Sequence, residues 1–307
     1  KYLMLIKKKV IVRVAEGLGN QLFMYANGLA LAKKNNASLY IDNESGFFKK
    51  KNKLRSRKYN LNLFKTNIQI CDSCEKFNTY PKDFIRKFLK ILDFFKSKKL
   101  FLFENLENKN VIFKETPKLS FHNKLHVEGH FESEKYFSFL QKELKSSLII
   151  NENLIDKNNE LIQILKSSNS VSIHVRRHRF SDEIDRNTSH NVNKSEEFTK
   201  SIIQYIHRSI SFFQKEINKP KFFIWSNDFS NLEKHFNDNF TFVNNNSLAT
   251  DFYLLSLSKH FIVGPSTFHW WGAWLNNNPN KICVRPRDKL LNPSNNRNFW
   301  PDNWIEI

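Results

Sequence analysis

The sequence predicts an α/β protein whose parallel β-sheets are covered by helices on both faces. After Ser170, five strand patterns rich in β-branched or aromatic residues alternate with helical patterns, which is typical of a parallel sheet. The N-terminus shows the same order on a smaller scale, as a strand, a glycine turn, a helix and a second strand. At 307 residues, with 40% hydrophobic residues, the chain is long for a single core. We therefore expect two domains, residues 1–168 and residues 169–307, divided at the polar SSNS segment.

The elements of the first half follow from the spacing of their apolar residues. Lys9–Val14 alternates as a strand, a helix begins near Asn20, and Ser38–Ile41 forms the next strand. Residues 43–80 are polar and rich in lysine, so we expect an irregular loop there. The other predicted elements of this half are helices at Asp83–Phe95, Glu134–Leu144 and Leu154–Leu165 and strands at Leu100–Phe103, Val111–Phe113 and Leu125–Gly129.

The second half is more regular. Its predicted strands are Val171–Val175, Lys221–Trp225, Phe240–Val243, His260–Val263 and Lys281–Val284. Its predicted helices are Glu196–Glu216, Phe229–Phe236, Asp251–Leu257 and Thr267–Leu275. Because the last of these helices carries three tryptophans, we expect it to be buried between the domains.

The net charge of +19 restricts the possible partners. Such an excess of basic residues suits a nucleic acid, an anionic membrane surface or a phosphorylated substrate. No nucleic-acid-binding motif accompanies the lysines, so we interpret the charge as peripheral attraction to anionic lipids together with solvation. No apolar run approaches the length of a membrane span, and the three cysteines suit a reducing compartment. We expect a cytoplasmic protein, peripheral at the inner face of the plasma membrane.

Two adjacent arginines follow the first strand of the second half. Arg176 and Arg177 lie at its C-terminal end, where ligands bind in open α/β sheets. Neighbouring residues of a strand point to opposite faces, so one guanidinium can enter a cleft while the other serves the structure. A guanidinium there suits a phosphate, because its planar fork matches two phosphate oxygens. The alternative is a pair of solvated surface arginines.

Polar residues at other element ends face the same crevice. Ser226 and Asp228 end the strand at Lys221–Trp225, although Asp228 also suits a helix cap. Ser266 and Thr267 begin a helix, where free backbone N–H groups and hydroxyls hold phosphate. Beyond Gly19 in the glycine turn, Asn20 lies at another helix N-terminus, which also favours an anion.

Asp251 opens the helix before the His260–Val263 strand. Its two coplanar oxygens could accept from the N1–H and the exocyclic amine of guanine together. The alternative is a helix-initiating aspartate that interacts with the helix dipole, and the sequence does not decide between the two. The chain has no Asp-x-Asp metal motif and no second cysteine pair beside Cys71-x-x-Cys74, so we expect neither a metal nor a cofactor.

Four separated blocks carry a shared pattern: GLGNQLFMYANGLALAKKNN at Gly17–Asn36, SIHVRR at Ser172–Arg177, FFIWSND at Phe222–Asp228 and DFYLLSLSKHFIVGPSTFHWWGAWL at Asp251–Leu275. In this order they resemble the α-1,2-fucosyltransferases of glycosyltransferase family 11. The resemblance implies a GT-B fold, in which two Rossmann-like domains face each other across a cleft. It also implies transfer of L-fucose from GDP-β-L-fucose to a galactose 2-hydroxyl, with inversion and without a metal.

The resemblance further implies roles for individual residues. The N-terminal domain would take the acceptor and the C-terminal domain the GDP-sugar. Arg176 would grip the β-phosphate and Asn20 would approach it from the other domain, while Asp251 would read guanine. The remaining expected donor contacts are Gly19, His174, Arg177, Ser226, Asp228, Ser266 and Thr267.

The chain departs from the family's His-x-Arg-Arg-Gly-Asp-Tyr pattern. His178 replaces the glycine, Arg179 the aspartate and Phe180 the tyrosine; Glu16 replaces the first glycine of the N-terminal block, and His269 the serine before the tryptophan pair. An arginine stays protonated, so position 179 cannot supply a base.

The expected base is therefore a carboxylate of the following loop, Asp182, Glu183 or Asp185. His178 is an alternative, and a reaction dissociative enough to need no strong base is another.

The sequence leaves two other functions open. One keeps the fold but uses another GDP-sugar or acceptor, and the other is a basic nucleic-acid-binding protein. The leading expectation is a fucosyltransferase of bacterial surface polysaccharide synthesis.

Overall fold

The computed structural model describes residues 8–48, 57–104, 106–107, 110–115, 119–157, 159–181, 186–236, 239–288, 291, 296 and 298–307. The strands within these ranges are β1 (Lys9–Arg13), β2 (Ser38–Asp42), β3 (Phe101–Phe103), β4 (Leu106–Glu107), β5 (Asn110–Val111), β6 (Lys124–Glu128), β7 (Asn169–Val175), β8 (Pro220–Ser226), β9 (Phe240–Phe242), β10 (His260–Ile262), β11 (Cys283–Arg285) and β12 (Ile305–Glu306). The α-helices are α1 (Leu18–Lys34), α2 (Tyr80–Phe94), α3 (Gln141–Ser147), α4 (Leu161–Ser167), α5 (Ser189–Glu216), α6 (Leu248–Leu257) and α7 (Thr267–Leu275).

Two parallel sheets organise these elements. The first has the order β2-β1-β6-β3, and the second has the order β12-β11-β10-β7-β8-β9. Every strand pairing described within either sheet is parallel. The first sheet takes its strands from residues before 129 and the second from residues after 168. The predicted α/β class with parallel sheets is therefore confirmed.

Several predicted elements differ in length or type. The predicted helix at 134–144 is two 3₁₀ turns followed by α3, and the strand predicted at 111–113 is the two-residue β5. The helix predicted at 229–236 is only a 3₁₀ turn, Leu232–His235, because Asn231 before it adopts a left-handed conformation with φ 58°. Helix α5 begins seven residues earlier than predicted, at Ser189, because the Thr188 hydroxyl accepts from the Asn191 N–H and caps it. Strand β12 was not predicted, since two residues carry no periodic pattern.

The two sheets share one aromatic cluster. Phe23 of α1 contacts Trp270 and Trp271 of α7, with ring centroids 4.6 and 5.1 Å apart. The indole N–H of Trp270 donates to the Phe299 carbonyl at 2.9 Å, and that of Trp274 donates to the Glu134 carboxylate at 2.8 Å. All three tryptophans are buried, as predicted. No helix of the described residues is long and apolar enough to cross a membrane.

The contact between α1 and α7 depends on Gly19. A Cβ placed on Gly19 would lie 2.3 Å from the Thr267 carbonyl carbon and 2.5 Å from the Phe268 nitrogen. These are backbone atoms, so neither helix can relieve the clash by changing a rotamer. Any larger residue at position 19 would force the two helices apart.

We expect Gly19→Ala to lower the free energy of unfolding by about 3 kcal/mol, the upper part of the usual range for overpacking. Urea denaturation measures this change. Gly17→Ala is the matched control, because a Cβ there meets only the Arg57 guanidinium at 3.4 Å. If both variants lost the same stability, the close helix contact would not be what position 19 requires.

Candidate active site

A cavity of about 670 Å³ opens where the carboxyl ends of strands from both sheets meet. Glu16 and Gly17 follow β1, and His130 and Glu132 follow β6, in the first sheet. The second sheet contributes residues at the ends of β7, β8 and β10, namely Arg176, Arg179, Ser226, Asn227, Pro265, Ser266 and Thr267. Five strand ends thus converge on one space, the place where open α/β sheets bind ligands.

Two helix N-termini meet at this cavity. Helix α1 begins after Gly17 and helix α7 begins after Ser266, and residues of both first turns line the space. The Thr267 hydroxyl donates to the side-chain oxygen of Asn20 at 2.6 Å, which joins the two first turns. Each first turn leaves backbone N–H groups without helical partners, and the dipoles place partial positive charge at the same point. The predicted residues Gly19, Asn20, Ser266 and Thr267 therefore lie together in a cradle suited to an anion.

The two adjacent arginines separate, as predicted, although both lie just beyond the end of β7 at Val175. Arg176 lines the cavity. Arg177 points away from it, with its guanidinium 3.3 Å from the Asp228 carboxylate and hydrogen-bonded to the Ser230 carbonyl. Asp228 also accepts from His178 and Ser230, so that hydrogen bonds and the Arg177 charge lower its pKa despite partial burial. Ser226 lines the cavity, whereas Arg177 and Asp228 do not, and their predicted donor contacts stay a prediction.

His174 forms an uncharged part of the cavity wall. Burial, assisted by the nearby Arg176 charge, lowers the pKa of His174 to about 3, so the ring is neutral at neutral pH. Its Nδ1 atom has no hydrogen-bond partner among the described residues, and neither does the Trp225 indole N–H, which belongs to the same lining. Behind His174 the buried His269 ring lies 3.0 Å from the Ser172 hydroxyl through its Nε2 atom. The histidine that replaces the family's serine is thus part of the core.

Asp251 also reaches the cavity. Helix α6 is capped by Ser247, whose hydroxyl accepts from the Thr250 N–H, so Asp251 lies in the first turn rather than at the cap. Burial raises the pKa of Asp251 to about 6, against the effect of Asn246, which donates to its carboxylate at 3.1 Å. A partly buried carboxylate that faces an open space can pair with two donors of a ligand. The two interpretations made from the sequence are both compatible with this position.

Glu132 is a carboxylate of the cavity that the sequence analysis missed. It follows β6 in a short loop and is only 6% exposed. Burial raises the pKa of Glu132, and the charges of His130 and Arg179 only partly oppose this shift. No periodicity or motif marks it, because it stands alone between Phe131 and Ser133.

The loop that carries Glu132 is firmly held. The Glu104 carboxylate accepts from the N–H groups of His130 and Phe131 at 2.9 and 2.7 Å. The buried Asn296 side chain donates to the Glu132 carbonyl at 2.8 Å. These hydrogen bonds fix the backbone from which the Glu132 side chain extends.

Arg179 occupies the wall where the family pattern has aspartate. Its guanidinium stacks 5.1 Å from the Phe198 ring centroid and donates to the Pro265 carbonyl at 3.4 Å. The predicted base candidates Asp182, Glu183 and Asp185 lie outside the described residues. Phe180 and Arg186, on either side of that loop, line the cavity.

Two departures from the family pattern have a backbone explanation. Glu16 and His178 replace glycines of the pattern, and both adopt a positive φ, 63° and 54°. Glycine reaches this region without a steric cost, and other residues enter it at some expense. The backbone course that the glycines permit is thus retained here. The described residues hold no cluster of three histidine, cysteine or acidic side chains suited to a metal ion.

The cavity geometry predicts binding of inorganic pyrophosphate. We expect Arg176→Ala to weaken it roughly 30-fold, about 2 kcal/mol, as for the loss of a hydrogen bond to a charged group. Titration calorimetry measures the dissociation constant. Arg177→Ala removes the same charge from a position outside the cavity lining and should change affinity by less than about threefold. Equal losses in the two variants would indicate a non-specific charge effect.

Solved structures with a similar fold are fucosyltransferases. NodZ α-1,6-fucosyltransferase, in a crystal soaked with GDP-fucose, superposes with a TM-score of 0.52 at 14% identity and covers 91% of this chain and 95% of its own. FUT1 of Arabidopsis thaliana, in complex with GDP, superposes with a TM-score of 0.50 at 13% identity and covers 92% of this chain and 71% of its own. These similarities show that the chain has the GT-B fold.

Sequence relatives extend over nearly the full length of the chain. An α-1,2-colitosyltransferase of Escherichia coli is 27% identical over 310 residues, which cover 97% of this chain and 98% of that protein. The O-antigen biosynthesis glycosyltransferase WbnK of Escherichia coli is 28% identical over 313 residues, covering 95% and 98%. The model of glycosyl transferase family 11 matches residues 1–307. The chain therefore belongs to glycosyltransferase family 11.

Proposed function

We propose that this glycosyltransferase moves L-fucose from GDP-β-L-fucose to the 2-hydroxyl of a galactose, with inversion, in the synthesis of a surface polysaccharide. The observation that carries the proposal is the joint position of two helix N-termini and Arg176 at the carboxyl ends of both sheets. Such a site fits the diphosphate of a nucleotide sugar. The GDP-fucose and GDP named for the fold neighbours support the choice of nucleotide.

The rest of the cavity suits the guanosine. Asp251 accepts the N1–H and the exocyclic amine of guanine, which requires its ionised form. With a pKa of about 6, most Asp251 side chains are ionised at pH 7.5 before the nucleotide binds. The neutral His174 and Trp225 offer unpartnered nitrogen atoms to the bound donor without adding charge.

The leaving group is stabilised by the protein alone. When the bond between the sugar C1 and the β-phosphate oxygen breaks, negative charge grows on GDP. Arg176 and the N–H groups of α1 and α7 face that charge from fixed positions, which is the arrangement that lowers a barrier. We therefore propose a reaction that needs no divalent cation.

A second candidate donor is GDP-colitose, which the α-1,2-colitosyltransferase relative favours. Colitose differs from L-fucose only by the lack of the 3-hydroxyl group. A site that hydrogen-bonds this hydroxyl rejects the deoxy sugar strongly, whereas an apolar site discriminates weakly. The choice between the two sugars therefore depends on one polar contact.

The donor is identified by transfer and hydrolysis assays with GDP-fucose, GDP-colitose and GDP-mannose and a galactose-terminated oligosaccharide, in one series with EDTA and in a parallel series with Mg²⁺ and no chelator. We expect GDP-fucose to react fastest and added Mg²⁺ to change nothing. Faster transfer from GDP-colitose would replace the sugar in the proposal, and dependence on Mg²⁺ would contradict the metal-free mechanism. Retention on GDP-agarose that DNA but not GDP displaces would instead favour nucleic-acid binding.

We propose Glu132 as the base of this reaction. It follows β6 of the first sheet, the side proposed to take the acceptor, and it lines the same cavity as Arg176. Its carboxylate takes the proton of the acceptor hydroxyl as the oxygen bonds to C1 and GDP departs. Burial raises its pKa, which makes it a stronger base than an exposed glutamate. The loop carboxylates Asp182, Glu183 and Asp185 stay predicted alternatives.

We expect Glu132→Gln to lower kcat at least about 100-fold and to leave GDP affinity unchanged, because an amide cannot take the proton. Since the pKa of Glu132 is raised, activity of the native enzyme should fall with decreasing pH above the ordinary glutamate value of 4.5. The variant should lose this acid limb of kcat when it is measured at saturating donor, so that protonation of Asp251, which acts on donor binding, does not contribute. Glu134→Gln is the control, because Glu134 holds Trp274 and does not line the cavity.

Full activity of Glu132→Gln would exclude Glu132 as the base. The same assay then applies to Asp182→Asn, Glu183→Gln and Asp185→Asn. One of these variants would have to lose transfer while it retains GDP affinity.

We place the enzyme in the cytoplasm, peripheral at the inner face of the plasma membrane. The net charge of +19 supports attraction to an anionic surface. Glycan acceptors of surface polysaccharides are built at such a surface, so a peripheral enzyme meets its acceptor there.

A further inference from the structure

Helix α2 is amphipathic, but its charged face packs against the protein and its apolar face is exposed. Its apolar side chains point to solvent, and Phe84, Phe88 and Ile91 are 74%, 55% and 63% exposed. Tyr80 and Phe95, at the two ends of the helix, are exposed on the same side. These residues recur every three or four positions and therefore form one continuous stripe. A soluble surface rarely leaves such a stripe uncovered.

The buried side of α2 is held by charges instead of apolar contacts. Arg86 donates to the Asp83 carboxylate at 2.7 Å and to the Glu128 carboxylate at 2.6 Å, and all three residues are largely shielded from solvent. Lys90 donates to the same Glu128 at 2.6 Å. Glu128 ends the inner strand β6, so this network ties α2 to the sheet.

The C-terminal end of α2 is fixed in the same way. Asp93 accepts from the N–H groups of Leu100 and Phe101 at 2.7 and 3.1 Å. A rotation that buried the apolar stripe would expose Asp83, Arg86 and Asp93 and break every one of these bonds. The outward orientation of the stripe is therefore built into the fold.

The charges around the stripe are positive. Lys87 borders it on the helix with 63% of its side chain exposed, and Lys96 and Lys98 are exposed just beyond its end. Both acidic residues of α2, Asp83 and Asp93, are turned inward and buried. The stripe is apolar, it is bordered by lysines, and α2 exposes no acidic residue beside it. It therefore fits a partner with an apolar interior and an anionic outer layer.

We propose that the stripe of α2 docks on an anionic lipid bilayer, with its aromatic side chains inserted at the level of the headgroups. Amphipathic helices with a basic margin bind membranes in this way, lying in the plane of the interface. The proposal deepens the peripheral location suggested above and names the surface responsible. It does not depend on which sugar the enzyme transfers.

The position of α2 also suits a membrane-bound acceptor. The Lys90 ammonium lies 4.5 Å from the ring centroid of Phe103, the exposed end of β3 beside the helix. Phe103 lines a second cavity of about 470 Å³, which shares Glu16 and His130 with the active-site cavity. A bilayer against α2 would thus face the acceptor side of the enzyme.

Vesicle sedimentation tests the proposal with the full chain. We expect binding to vesicles of phosphatidylglycerol and phosphatidylcholine and little binding to phosphatidylcholine alone. Phe84→Ser/Phe88→Ser/Ile91→Ser should bind the anionic vesicles at least tenfold more weakly. The control Phe139→Ser removes a phenyl ring that is 55% exposed next to Lys34, away from α2, and should bind as the native chain does.

A second variant separates charge from apolar contact. Lys96→Glu/Lys98→Glu keeps the stripe and the ion pair between Lys87 and Asp83, and it should bind anionic vesicles at least tenfold more weakly. Pyrophosphate affinity and the melting temperature of this double variant and of the triple serine variant should match the native chain, because the substituted residues are exposed and do not line the cavity.

Three results would overturn the proposal. One is no preference of the native chain for anionic vesicles, and another is unchanged binding by the triple serine variant. The third is a concentration-dependent dimer in light scattering that the serine variant abolishes, which would assign the stripe to a second copy of the chain. Loss of vesicle binding with intact donor hydrolysis would separate docking from the catalytic proposal.

Discussion

The contact between the first turns of α1 and α7 is the constraint on which the site depends. Gly19 brings the α1 backbone against Thr267 and Phe268, and no side chain fits between them. Beneath this point the Phe23 ring packs on Trp270 and Trp271, so the two sheets share an apolar core at their junction. Each helix supplies half of the anion cradle, so any movement of one sheet relative to the other would separate the two halves of the cradle.

The electrostatics of the cavity follow from the same arrangement. The described lining contains Arg57, Arg176, Arg179 and Arg186 but only three acids, Glu16, Asp251 and Glu132. Burial raises the pKa of both Asp251 and Glu132. Each carboxylate is held where a hydrogen-bond donor of a bound substrate would offset its desolvation. Asp251 lies at the proposed guanine-binding end and Glu132 on the proposed acceptor side, so two similar groups can have different functions.

The sequence predicted most of the fold because strands and long helices carry their own periodicity. It predicted the positions of Arg176, Asn20 and Thr267 relative to the cavity because ligand sites lie at strand ends and helix N-termini. It did not separate Asp228 from Asp251, since both follow a strand or open a helix, and only tertiary contacts show that Asp228 is paired with His178 and Arg177. Glu132 was missed because its loop is defined by distant partners, Glu104 and Asn296. The reversed faces of α2 were hidden as well, since an amphipathic pattern does not state which face is covered.

The exchange of charge at position 179 links the sequence to the proposed mechanism. Where the family pattern has aspartate, this chain has Arg179, packed on Phe198 and directed to the Pro265 carbonyl. Its positive charge acts on Glu132 and opposes the rise of the Glu132 pKa that burial causes. An arginine in the C-terminal wall thus makes a buried carboxylate in the N-terminal wall less costly to ionise. The wall that carries Arg179 lacks the negative charge of the family's aspartate, and the opposite wall carries the negative charge of Glu132, on the proposed acceptor side, where the proposed inverting transfer needs a base.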